Sequence, residues 1–237
     1  MLTVGLGKIL QLLTSRDIDA QIRAVKVVAN LAAEDINQEK IMDEGEANQC
    51  LIMDKGGARL LANTASKTDD PEALRMVAGA IANLCGSEKL QLKLRDDGAI
   101  KALLRMVRSG DSGVIAQVAR GIANFAKCES REIIQGHRRG RSVLMEDDVL
   151  SWLIANSTSA SASSSRRHIE LALCHLGQNE DNARDFISSG GVKALKRISV
   201  ESCREDIRNL AKTTLKLSPT FKAEMNTESS KLYRTEL

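Results

Sequence analysis

VAGAIANLCGSEKLQLKLRDDG, residues 77–98, decides the fold, because its pattern recurs at two other places in the chain. The related stretches are VVANLAAEDINQEKIMDEG at 27–45 and ELALCHLGQNEDNARDFISSG at 170–190. In each, a polar residue of the first half (Asn30, Asn83 or His175) stands 15 residues before the closing Gly. A fourth copy, ARGIANFAKCESREII at 119–134, carries Asn124 and runs through a longer segment to Asp148, which takes the place of the Gly. Gly56 to Gly98 is 42 residues, Asp148 to Gly190 is again 42, and Gly98 to Asp148 is 50, a unit with an 8-residue insertion. Self-similarity at a fixed period marks a repeat architecture in which each unit needs its neighbours.

Within one unit the pattern predicts a short helix and then two longer ones. Ile100, Leu103, Leu104 and Val107 fall on one face, and Val114, Val118, Ile122 and Phe125 form the next inner stripe. Asp70-Pro71-Glu72 is a helix start: a capping carboxylate, a proline at the first helical position and an acid at the positive helix end. A period near 42 built only of helical pattern is the range of armadillo and HEAT repeats. The expected fold is all-α, a right-handed armadillo-type α/α superhelix of four to five units. The first unit spans 2–44, the continuous units are 56–97, 98–147, 148–189 and 190–218, and a frayed tail occupies 219–237.

Composition agrees. Three Phe, one Trp, one Tyr and two Pro in 237 residues leave little for strands, whereas Ala and Leu together number 55. Ala78, Gly79, Ala82, Ala119, Gly121 and Ala123 allow close helix approach, so few aromatics are needed to fill the core. The formal net charge of +3 on 65 charged residues implies neither a nucleic-acid nor a membrane partner. Five single cysteines without a C-x-x-C pair read as reduced thiols in a cytosolic or nuclear protein. No apolar run reaches the roughly 18 residues of a membrane span.

One junction breaks the period. Asn37-Gln-Glu-Lys-Ile-Met-Asp-Glu-Gly45 is echoed by Asn48-Gln-Cys-Leu-Ile-Met-Asp-Lys-Gly56 only 11 residues later. Roughly 31 residues, the two long helices of one unit, are missing relative to the 42-residue period, and 45–55 reads as the remnant of a deleted repeat. A short irregular linker is the alternative. Deletion predicts compromised packing between the first unit and the rest.

The third helices of such a solenoid line a groove. Lys26 and Asn30, Asn83, Arg120 and Asn124, and His175 occupy the helical spacing that faces it. An Asn amide both donates and accepts, so it can pair with the backbone of an extended peptide; equally, it can bond only to neighbouring helices. The longer unit holds KCESREIIQGHRRGR, five Lys/Arg against two Glu from Lys127 to Arg141. Arg138, Arg139 and Arg141 are its candidates for acidic partners, against a plain solvated loop. STSASASSS at 157–165 reads as a flexible connection, and Trp152 as core. His168 and His175, seven apart without a third ligand, make a poor metal site. No phosphate loop, nucleophile elbow, zinc-protease motif or dinucleotide fingerprint is present, so no catalytic residue, cofactor or metal is expected.

AVKVVANLAAEDINQEKI, LRMVAGAIANLCG, QVARGIANFAKCESREIIQGHRRGRS and RRHIELALCHLGQNEDNARDF together resemble the C-terminal armadillo-repeat region of plant armadillo-repeat kinesins, the ungrouped kinesins. The resemblance covers about residues 2–218. It implies an intact further repeat where the period breaks, a motor domain and coiled coil that this chain lacks, and hence a non-enzymatic tail. The implied role is partner binding or regulation in a cytoplasmic, microtubule-associated protein, with tubulin tails a candidate for the basic loop. Two other classes share the fold. An import adaptor pairs each ladder Asn with a Trp four residues earlier, where this chain has Lys26, Gly79, Arg120 and Leu171. A U-box ubiquitin ligase of armadillo type needs a U-box, which is not in this sequence.

Overall fold

A computed structural model describes residues 2–33, 42–146, 149–158 and 163–235, and every regular element among them is helical. The chain forms two compact units, Met1–Cys128 and Glu129–Leu237.

The first unit begins with α1 (Leu2–Leu12) and α2 (Ile18–Ala33), then α3 (Met42–Asp54), α4 (Gly57–Ala65) and α5 (Pro71–Leu84). A 3-10 turn at Glu88–Leu90 enters α6 (Gln91–Asp96), followed by α7 (Ala99–Arg105) and α8 (Ser112–Ile134), which continues into the second unit. The start of α5 is as the sequence predicts: the Asp70 side chain accepts from the Ala73 N–H at 2.7 Å, with Pro71 at the first position. That satisfies one of the orphan donors of a helix start. The recurring Gly marks are turn positions of a single kind. Gly56, Gly98 and Gly190 have φ of 75°, 77° and 82°, a left-handed conformation that glycine adopts without a Cβ penalty.

The core confirms the explanation for the scarce aromatics. Ala78, Ala80, Ala82, Ala119, Ala123 and Ala126 are buried among Leu61, Val77, Ile81, Leu103 and Ile122. A Cβ on Gly121 would lie 2.7 Å from Leu103 Cδ2 of α7 and 3.3 Å from Ala82 Cα of α5, so glycine lets α8 pass close to α5 without displacing Leu103.

At the irregular junction the helices close up. Ala24, Val25, Val28 and Ala32 of α2 are buried, and α2 packs directly on α5. The expectation of compromised packing is therefore corrected. Asn83 Nδ2 donates to the Ala29 carbonyl at 3.0 Å, just as Asn124 Nδ2 donates to Ala82 at 2.9 Å. Ala29 precedes Asn30 as Ala82 precedes Asn83, so the same bond forms across 54 residues of chain and across 42. Gln49 Nε2 donates to the Ala32 carbonyl at 3.1 Å, matching Gln91 Nε2 to the Cys85 carbonyl at 3.0 Å. By position from the ladder Asn, Gln38 is the counterpart of Gln91, yet Gln49 of the second copy makes the bond. Most of the first copy, including Gln38, lies outside the described residues.

The second unit contains the end of α8, a 3-10 turn at Val143–Met145, α9 (Val149–Asn156) and α10 (Ser163–Gly177). A further 3-10 turn (Glu180–Asn182) enters α11 (Ala183–Ser189), then α12 (Gly191–Glu201), α13 (Glu205–Leu217) and α14 (Pro219–Thr235). The frayed tail expected over 219–237 does not begin at residue 219: α14 is a helix with an anchored start. Ser218 Oγ accepts from the Phe221 N–H at 3.1 Å, and Glu180 accepts from Ser218 Oγ at 2.7 Å and from the Thr220 N–H at 3.1 Å. Phe221 is buried against Phe186, ring centroids 5.8 Å apart. Trp152, expected in the core, is only half-buried. Of the Ser-rich connection, residues 159–162 lie outside the described residues.

Candidate functional site

In the first unit the third helices α2, α5 and α8 lie side by side, and their polar stripes form the candidate site. Asn124 is half-buried and Asn83 buried. Each spends one amide hydrogen on the neighbouring helix, the purely structural job that the sequence left open. Capacity remains, however. Asn124 keeps its second amide hydrogen, and its Oδ1 accepts from no described residue. Asn83 keeps only an amide hydrogen, because its Oδ1 accepts from Arg120 Nη1 at 2.6 Å. Asn30 is exposed on α2, and Lys26 is held by Glu72 of α5 at 2.8 Å.

Arg120 organises this face. Its guanidinium donates to the Gly79 carbonyl at 3.2 Å and to Gln117 Oε1 at 3.1 and 2.8 Å, besides Asn83. A Cβ on Gly79 would stand 4.0 Å from Arg120 Nη2, an ordinary contact, so the bond does not depend on glycine there. All four acceptor contacts are to neutral groups. Burial lowers the guanidinium's pKa from its ordinary value, although arginine remains charged at any physiological pH.

In the second unit His175 is half-buried, its Nδ1 3.3 Å from Gln178 Oε1, which also accepts from Ser130. Thr214 of α13 takes the ladder role here: its Oγ1 donates at 3.3 Å to the carbonyl of Cys174, the residue before His175. Sequence comparison missed Thr214 because a hydroxyl replaces the amide; its position 39 residues after His175 was the available signal.

The basic loop is fastened to its own unit. Gly136, at φ 76°, ends α8 and turns the chain back. Arg138 thereby meets Glu129 of α8 at 2.6 Å, with side-chain exposures of 16% and 3%. Glu129 also bonds Ser142 Oγ. Arg141 pairs with Asp185 at 2.6 Å and donates to the Met145 carbonyl at 3.1 Å. The Gly140 N–H reaches Asp181 Oδ2 at 2.7 Å, and Asn179 Nδ2 returns to the Gly140 carbonyl at 3.0 Å. Of the three arginines singled out, only Arg139 is exposed and without an ion pair among the described residues.

Chemistry of other kinds has little support. Burial pushes the Cys174 thiol up to about 12 and Cys85 higher, so neither is a thiolate near neutral pH. Among the described residues no group of three His, Cys, Asp or Glu side chains could hold a metal, and no helix is long and apolar enough to cross a membrane.

No family model matches the chain. Among curated proteins it is similar to Kinesin-like protein KIN-UA of Oryza sativa subsp. japonica, 58% identical over 264 residues, covering 94% of this chain and 27% of the relative. Kinesin-like protein KIN-UC of Arabidopsis thaliana is 55% identical over 260 residues, covering 92% and 24%. The chain is thus homologous to about a quarter of the length of these plant kinesin-like proteins. Among solved structures, an engineered protein aligns with TM-score 0.71 at 23% identity, covering 92% of this chain and 48% of that one. A designed armadillo repeat protein in complex with the peptide (KR)4 aligns with TM-score 0.59 at 18% identity, covering 91% and 99%. The fold is an armadillo-repeat α solenoid, as the period predicted.

Proposed function

We propose that this chain is a non-catalytic protein-interaction solenoid, the partner-binding or regulatory part of a microtubule-associated kinesin-like protein in the cytoplasm. The observation that carries the reading is the ladder of α5 and α8, where Asn124 retains both an acceptor and a donor after bonding its neighbour helix. Such a group can hold a peptide backbone whatever the peptide's sequence. The designed armadillo protein that carries (KR)4 lends support for extended peptides as ligands of this fold. Relatives that are kinesin-like proteins favour the motor-associated setting over a ubiquitin ligase. Gly79 and Arg120 at positions where an import adaptor has Trp speak against import-signal binding.

The same reading takes 56–97, 98–147, 148–189 and 190–218 as units and 45–55 as the remnant of a lost repeat. The 264-residue match to the rice relative exceeds the 237 residues of this chain, so at least 27 of its positions lack a counterpart here, which supports a loss. Affinity capture from plant extract with the chain and with Asn124→Ala tests the function. The variant is expected to lose most of one captured partner while its helicity and unfolding midpoint hold. Identical captured sets would count against the groove.

A further inference from the structure

Arg120 poses an electrostatic problem that its own surroundings do not solve. A cation partly removed from water loses hydration free energy, and neutral acceptors replace only part of it; a carboxylate would replace it with charge. Arg120 has Gln117, Asn83 and the Gly79 carbonyl, and no acid among the described residues. Part-buried cations of the second unit are treated differently: Arg138 has Glu129, and Arg166 has Glu170 at 2.9 Å.

The neighbouring stripes have the same sign. Helical spacing puts Arg23 with Lys26 on α2, and Lys127 with Arg120 and Asn124 on α8. Arg75 of α5 lies over α8, its Cδ 3.0 Å from where a Cβ on Gly113 would be. Against Arg23, Lys26, Arg75, Arg120 and Lys127 stand Asp19, Glu72 and Asp111; Glu72 is engaged by Lys26, and Asp111, which lies beside Arg75 over Gly113, accepts from the Val114 N–H at 2.9 Å. We propose, resting on the interaction reading above, that the third-helix face of the first unit receives an extended peptide rich in Asp and Glu. Its carboxylates would neutralise Arg120 and the flanking cations, while Asn124 and the free amide hydrogen of Asn83 hold its backbone. This is opposite in charge to the (KR)4 ligand of the designed protein, and the sign follows from the side chains of α2, α5 and α8.

The test is fluorescence polarisation of the full chain with labelled (DE)4 and (KR)4 peptides. The (DE)4 peptide is expected to bind at least about tenfold tighter than (KR)4 and to weaken steeply as salt rises. Arg120→Gln, which keeps a hydrogen-bonding amide, is expected to weaken (DE)4 about tenfold, and Arg120→Lys to recover part of that loss. Should Arg120→Gln fail to fold by circular dichroism, the exposed double variant Arg23→Gln/Lys127→Gln decides instead, with an expected loss of about fivefold. Equal or tighter binding of (KR)4, no binding of (DE)4, or a (DE)4 affinity that the deciding variant leaves within about twofold, overturns the charge assignment. Failure of (DE)4 with Asn124→Ala still reducing capture from extract leaves the interaction reading standing. Binding of (DE)4 through Arg120 with Asn124→Ala silent in capture does the reverse.

Discussion

Two regions of this molecule are basic in sequence, and the fold disposes of their charge in opposite ways. Along the α8 face of the first unit, Arg120 is wedged among neutral acceptors, and no acid among the described residues pairs with it. In the loop after α8, Arg138 turns inward, Arg141 stays half-exposed, and each finds a carboxylate within its own unit, at 2.6 Å. The stretch with more arginines therefore offers less charge to a partner. Local charge density is legible in a chain, but availability depends on which residues the backbone brings opposite.

Substitutions can break this contrast, beginning with the largest effect. Arg138→Ala leaves the Glu129 carboxylate buried without its cation and is expected to cost about 3 kcal/mol. A urea titration of the second unit's signal checks this; a loss below about 1 kcal/mol would mean that Ser142 and water suffice for Glu129. Asn83→Ala removes a donor from the Ala29 carbonyl and an acceptor from Arg120, with an expected loss of about 1.5 kcal/mol. Because the bond spans the irregular junction, hydrogen exchange in α2 should accelerate along with it. An unchanged α2 would show that apolar packing alone holds the junction. Arg141→Ala disrupts a half-exposed pair and is expected to cost under about 1 kcal/mol after solvent screening, an effect that fades in high salt. Arg139→Ala should leave the unfolding midpoint where it is. If the loop contributes to microtubule contact, this variant lowers co-sedimentation by about twofold at low salt, and the neighbouring pairs should not matter.

The acid side of the second unit adds a sharper pH expectation. Burial works against ionisation of Glu180, but hydrogen bonds from Thr220 and Ser218 outweigh it and hold its carboxyl below the ordinary value. A lowered folded pKa contributes stability above the unfolded pKa and loses it as pH falls through the folded one. The protection of amide hydrogens at the start of α14, relative to their intrinsic exchange at the same pH, should therefore be high near neutral pH and fall in acid, below the ordinary carboxylate range. Glu180→Gln should remove most of that dependence.

The irregular junction teaches a related lesson about repeats. The 11-residue echo at 37–56 was plain in the sequence, and a break in packing was the natural expectation. Gln49 of the second copy serves the Ala32 carbonyl, and α2 meets α5 as α5 meets α8. In a solenoid each interface is between nearest neighbours, so the length of chain between them matters little once the facing surfaces match. Thr214 was hidden for a different reason: a hydroxyl stands in for the amide, and it lies 39 residues after His175 where Asn124 lies 41 after Asn83.

By itself the sequence determined the architecture and the helix starts. A 42-residue period, Gly marks with positive φ, the Asp70-Pro71 cap and small residues at helix crossings are local or periodic properties, written in residue types. Relatives among plant kinesin-like proteins were equally legible in the IANFAKCESR stretch. Only the tertiary structure decided which charges are available, how the broken junction closes and whether the final segment is anchored. Those outcomes depend on pairs that helical spacing does not join: Arg138 with Glu129 across a turn, and Asn83 with Ala29 and Ser218 with Glu180 far apart in the chain. Desolvation and hydrogen-bond geometry act between the partners of such a pair and cannot be read from either residue alone.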